Sequence, residues 1–172
     1  MRRLRAGWMG ERMEAMRLIE ASRHALARSK EASDIVAEGW QSQALAQAIG
    51  SRLAIAGPPE LRGEALGLSE VGGRGCGVLD APGLGTEGVR AARLTGIGQA
   101  QEVLQGLDEL LGEVGIALVG VAMGAHDEGA YWQCMEAIDA ADESRDRVLE
   151  MLRRLAVREQ SLPEPDSAAG PS

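Results

Sequence analysis

The chain has 172 residues and a net charge of −8, with 45% hydrophobic residues but only one Tyr, three Trp and no Phe. That length suffices for one domain with its own core, and an aliphatic core suits close helix packing better than a sheet. The charge is uneven, with eight basic and three acidic side chains in residues 1–30 against ten basic and 23 acidic beyond them, so the body lacks the basic face and stacking platforms of a nucleic-acid binder.

Residues 1–12 carry no sustained period and read as a flexible arm ahead of one domain over 13–159. A first helix is expected from about Glu11 to Lys30, with Met13, Met16, Ile19 and Leu26 inward. A second starts near Ala32, with Ser33 as its N-cap, and stops at Gly57-Pro58-Pro59. Its stripe is Val36, Trp40, Ala44, Leu45, Ala48, Ile49 and Leu53. After a short helix from Pro59 to about Leu68, the glycines of Val71–Gly77 and of Ala81–Gly85 predict a long loop.

The third main helix begins between Thr86 and Leu94 and ends near Gly124. Apolar residues recur at spacings of three and four from Ile97 to Ala125, and the run Gly115–Gly124 is apolar on every side. This predicts a central helix enclosed by neighbours, with Gly120 and Gly124 at tight contacts and Gly72 and Gly73 in a tolerant connection. The fourth helix covers about Asp127 to Glu159, with Tyr131, Cys134, Met135, Ile138, Ala141, Val148, Leu152 and Leu155 inward. Residues 160–172, with three prolines, read as a disordered tail. The expected fold is all-α, a four-helix antiparallel bundle with a long Gly-rich crossover between the second and third helices.

Candidate chemistry is sparse. The Gly72-Gly73-Arg74-Gly75-Cys76-Gly77 run lacks the Lys-Ser or Lys-Thr and the helix start of a phosphate loop. His24, His126, Cys76 and Cys134 are the only His and Cys side chains. They form no Cys-x-x-Cys pair and no Glu-x-x-His motif, so no metal and no cofactor are expected. Cys134 or Cys76 with His24 or His126 is the weakest enzymatic reading, and no catalytic residue is assigned. Asp139, Asp142, Glu143 and Asp146 read as a solvated charged face.

A more specific pattern is Trp40 among Glu38, Gln41, Ser42, Gln43 and Gln47, with Tyr131, Trp132 and Gln133 on the last helix. Trp40, Gln41, Tyr131, Trp132 and Gln133 are the candidate lining of an interhelical pocket for a small polar ligand. The run before His126 is too short for a membrane span, and no apolar segment follows Met1-Arg2-Arg3-Leu4-Arg5 as in a signal peptide.

The segments Arg17–Ala27, Ala37-Glu38-Gly39-Trp40-Gln41 and Tyr131–Ser144 resemble a family of short uncharacterised helical proteins from GC-rich actinobacteria. Arginine use fits such a source, since Lys30 is the only lysine. The resemblance implies no activity. The chain therefore reads as a non-enzymatic cytoplasmic interaction or regulatory module with a protein partner, free of nucleic acid and membrane and compatible with a homo-oligomer. The alternative is a small-ligand-binding bundle with its pocket near Trp40, Tyr131 and Trp132.

Overall fold

A computed structural model describes residues 13–79 and 88–161. The expected arm, the Ala81–Gly85 loop and the tail beyond Ser161 lie outside them. Within them are five α-helices: α1 (Ala15–Arg28), α2 (Ala32–Ala56), α3 (Arg62–Val78), α4 (Ala100–Met123) and α5 (Glu128–Ser161). Single 3-10 turns occupy Pro59–Leu61 and Arg90–Arg93. A minimal parallel ladder joins β1 (Met13–Glu14) to β2 (Leu94–Gly96). Arg52 of α2 donates to the carbonyls of Leu94 and Thr95 and holds β2 against the bundle.

The all-helical expectation holds at this coarse level, and two finer readings are corrected. Val71–Gly77 is the second half of α3, not loop. Glycine costs a helix about 1 kcal/mol relative to alanine, and the compensation comes from packing. A Cβ on Gly72 would lie 2.8 Å from the Gln47 backbone nitrogen and 2.9 Å from the Gln43 carbonyl oxygen. One on Gly50 would lie 2.7 Å from the Ala65 carbonyl oxygen. Two antiparallel helices thus meet backbone to backbone, and the Ser51 and Ser69 hydroxyls pair at 2.8 Å across the seam.

The enclosed helix is α2, not the one ending at Gly124. Its residues Gln41 to Ala46 are all buried, and it packs against each of the other four helices. α4 buries one face, with Val103, Leu104, Leu107, Leu110, Leu111, Val114 and Leu118 in the core. Smaller differences lie at the ends. α2 begins before Ser33, with Glu31 at the cap position and no side-chain cap, and Gln160 and Ser161 belong to α5 rather than the tail.

Ion pairs line the outer seams. Glu64 of α3 accepts from Arg147 at 3.1 Å and meets Arg154 at 3.5 Å, both on α5. Arg74 reaches Glu143 at 2.9 Å, so part of the expected acidic face of α5 is paired with α3.

Candidate functional site

The residues expected to line one pocket occupy different environments. Trp40 is half-buried and packs against the core, and its carbonyl accepts from the Cys76 thiol at 3.5 Å. Gln41 is buried. Its amide nitrogen donates to the Gly88 carbonyl at 2.8 Å, and its side-chain oxygen accepts from the Arg90 backbone at 3.0 Å. Gln133 donates to the Val78 carbonyl at 2.9 Å. Both carboxamides are therefore engaged with backbone that flanks the α3–α4 connection. Tyr131 and Trp132 are exposed, stacked edge to face at 5.3 Å, and the indole nitrogen reaches Glu128.

Gln41 belongs to a buried polar cluster that the sequence does not announce. Arg90 is 8% exposed, donates to both Glu38 carboxylate oxygens and reaches the Ser22 hydroxyl at 2.9 Å. A desolvated guanidinium needs such partners, because a lone buried charge is very costly. The cluster ties the Gly88–Arg93 segment to α1 and α2 at once. A polar cleft beside it, about 480 Å³, is lined among others by His24, Arg28, Asp34 and Arg93.

The thiols are not primed for nucleophilic attack. Burial pushes Cys76 up to about 11 and raises Cys134 as well. Each therefore stays protonated at neutral pH. His24 and His126 are exposed on other segments, α1 and the α4–α5 link. Among the described residues no group of three His, Cys, Asp or Glu side chains is placed to hold a metal ion.

The exposed side of α4 is the second unforeseen feature. Ile116 is 76% and Met123 82% exposed, and Val119 is exposed beside them. With Glu109 and Gly112 they are spaced three, four, three and four, a heptad seam. At 3.6 residues per turn this stripe lies roughly opposite the Leu107–Leu118 core stripe. Sequence reasoning missed it because two apolar stripes on one helix read as enclosure. The separable signal was the second three-four spacing.

A groove flanks Ile116 on each side. The one toward α1 encloses about 560 Å³ and is walled by Leu26, Ala27 and Ala117. The one toward α5 encloses about 520 Å³ and is walled by Gly112, Gly115, Val119 and Ile138. Their charged margins include Glu20, His24 and Asp142, and part of them is tied internally. Arg23 spans Glu109 at 2.8 Å and Glu113 at 2.5 Å, and Arg145 holds Asp108 at 2.9 Å. The link from Gly124 to Asp127 is short, so Tyr131 and Trp132 stand at the same end of the bundle as Met123.

A five-helix protein with an aliphatic core and an apolar outer stripe is thus defined. The chain belongs to a family of unknown function, DUF6099, whose model matches residues 13–154, which agrees with the expected uncharacterised family. No curated protein matches it, and no solved structure does. No described helix is long and apolar enough to cross a membrane.

Proposed function

We propose that the protein is a non-enzymatic interaction module whose docking surface is the exposed stripe of α4, extended at one end by Tyr131 and Trp132. The observation that carries this reading is the exposure of Ile116, Val119 and Met123 on one helix face, with a groove on either side. Scattered apolar residues on a surface need no explanation, whereas a contiguous apolar patch rimmed by polar groups marks a binding site. Aromatic and methionine side chains are enriched in such sites, and helices in grooves are a recurrent recognition mode. The raised thiol pKa values also favour binding over catalysis.

The reading takes the protein as cytoplasmic, supported by two free cysteines, and as actinobacterial, supported by the arginine-rich, lysine-poor composition. The test is a quantitative pull-down from the source organism with wild-type and Ile116→Glu baits. A partner enriched by wild type and lost with the variant is expected. Identical recoveries from the two baits, both folded by circular dichroism, would sink the reading.

A further inference from the structure

Resting on that reading, we infer that the partner is a basic amphipathic helix seated in the groove between α4 and α5. Its apolar side meets Ile116 and Val119, and its lysines or arginines face Asp139, Asp142 and Asp146. The groove sets the shape of the occupant. Its walls are side chains of two helices whose backbone groups are bonded within each helix, so an extended peptide finds no strand edge there. A helix does fit, by seating its ridge of side chains between theirs. The floor runs from Gly112, where a Cβ would meet the Arg145 guanidinium at 3.4 Å, to the exposed Met123. That is about 17 Å, or three helical turns at 1.5 Å per residue. Tyr131, Ile138 and Leu149 share one strip of α5 with Asp142, at spacings of seven and four. Tyr131 and Leu149 are exposed, so apolar surface continues along the α5 side of the groove.

Charge sets the sign of the occupant. The groove is lined by four carboxylates, Asp108, Glu109, Glu113 and Asp142, against two guanidiniums, Arg23 and Arg145. Both guanidiniums are engaged, Arg23 with Glu109 and Glu113 and Arg145 with Asp108. Asp142 has no ion pair among the described residues, and neither have Asp139 and Asp146. These three are exposed and stand three and four residues apart, one acidic strip beside the groove.

Elsewhere on α5 the acids are matched, Glu143 by Arg74 and Glu150 by Arg153 and Arg154. Like charges one turn apart destabilise a helix, and no described side chain pairs with this strip to offset that. A basic flank on a docked helix does. The same strip disfavours acidic helices and a second copy of this chain, which carries −8.

Fluorescence anisotropy on the full chain tests the inference with a labelled leucine–lysine helix, about 18 residues long so that it holds its fold. Its counterpart has every lysine replaced by glutamate. The lysine peptide is expected to bind, and the glutamate peptide about tenfold more weakly or less. Asp139→Asn, Asp142→Asn and Asp146→Asn together should weaken the lysine peptide about tenfold and flatten its salt dependence. The control removes as many charges by Glu31→Gln, Glu70→Gln and Glu159→Gln, all exposed and lining neither groove. It should change the affinity by no more than about twofold. Ile116→Glu should abolish saturable binding, with circular dichroism confirming that each variant is folded. A wild type that takes up neither peptide, or equal losses in the aspartate variant and the control, overturns the basic partner. Equal binding of both peptides, lost with Ile116→Glu, upholds the docking face and overturns its charge preference. A lysine peptide that Ile116→Glu holds as wild type does sits elsewhere and overturns this seat. Dimerisation that Ile116→Glu abolishes, with no uptake of the lysine peptide, gives the face to a second copy instead.

Discussion

Glycine shows at the residue scale how packing decides what a side chain costs. Gly72→Ala pushes a methyl to 2.8 Å from backbone atoms of α2 that cannot rotate away, and the loss should be about 1–3 kcal/mol, the range of overpacking. Gly120→Ala meets open space and should gain about 0.5–1 kcal/mol from helix propensity. Urea midpoints of the two variants check this, and the order is the reverse of what the apolar run around Gly120 suggests. Sequence carries a glycine's helix cost but not the distance to the next backbone, which is why both positions are misread from it. Cys76 offers a second residue-scale measurement. Its thiol pKa is raised by burial to about 11. The thiolate fraction, and with it the alkylation rate of the native protein, should climb tenfold per pH unit well past about 8.5, where a free cysteine begins to level off. A plateau near that pH would show Cys76 to be solvent-accessible.

At the scale of elements, the sequence foretold α2 and α5 almost to their ends, because Gly57-Pro58-Pro59 and the run Gly124–Asp127 are strong punctuation. It missed the second half of α3, where propensity and packing disagree and packing prevails. Gln41, read from the sequence as a candidate pocket residue, holds in the structure the segment leading into the Arg90–Arg93 turn. Alternation along one helix cannot reveal that Arg90, some fifty residues away, returns to Glu38 and Ser22. That return makes Arg90 the fastener between α1, α2 and the chain entering β2. Arg90→Ala strands the Glu38 carboxylate, whose side chain is 15% exposed, and should cost about 3 kcal/mol, as when one partner of a buried pair is removed. Exchange of Arg62, exposed at the start of α3, for alanine is the control. Equal thermal midpoints for the two variants would contradict the clamp.

For the whole molecule, all-α architecture and the single core were legible from aliphatic composition and from the three-four spacing of the long helices. Which helix lies at the centre was not, since burial of α2 is achieved with Gln41, Ser42 and Gln43 as well as with leucine. Polar residues enclosed by neighbours look in a sequence like a wet face. Hydrogen exchange should show the true order. Amides of Gln41 to Gly50, in the helix that touches all four others, are expected to exchange slowest, near the limit set by global unfolding. Those from Ala156 to Ser161, exposed at the end of α5, should exchange fastest. Slowest exchange in α4 would instead restore it as the central helix.

The backbone contact between α2 and α3 also bears on the order of events in folding. The two helices are neighbours in sequence, so bringing them together closes only a short loop, which carries little entropic cost. Their seam leaves no room for approximate docking, because Gly50 and Gly72 must meet the opposite chain at full closeness or not at all. A pair that is local in sequence and demanding in geometry is suited to forming in the rate-limiting step. Gly50→Ala should then slow refolding while barely altering the unfolding rate, a φ-value near one. If the variant chiefly hastened unfolding, this hairpin would be a late arrival rather than the seed of the bundle.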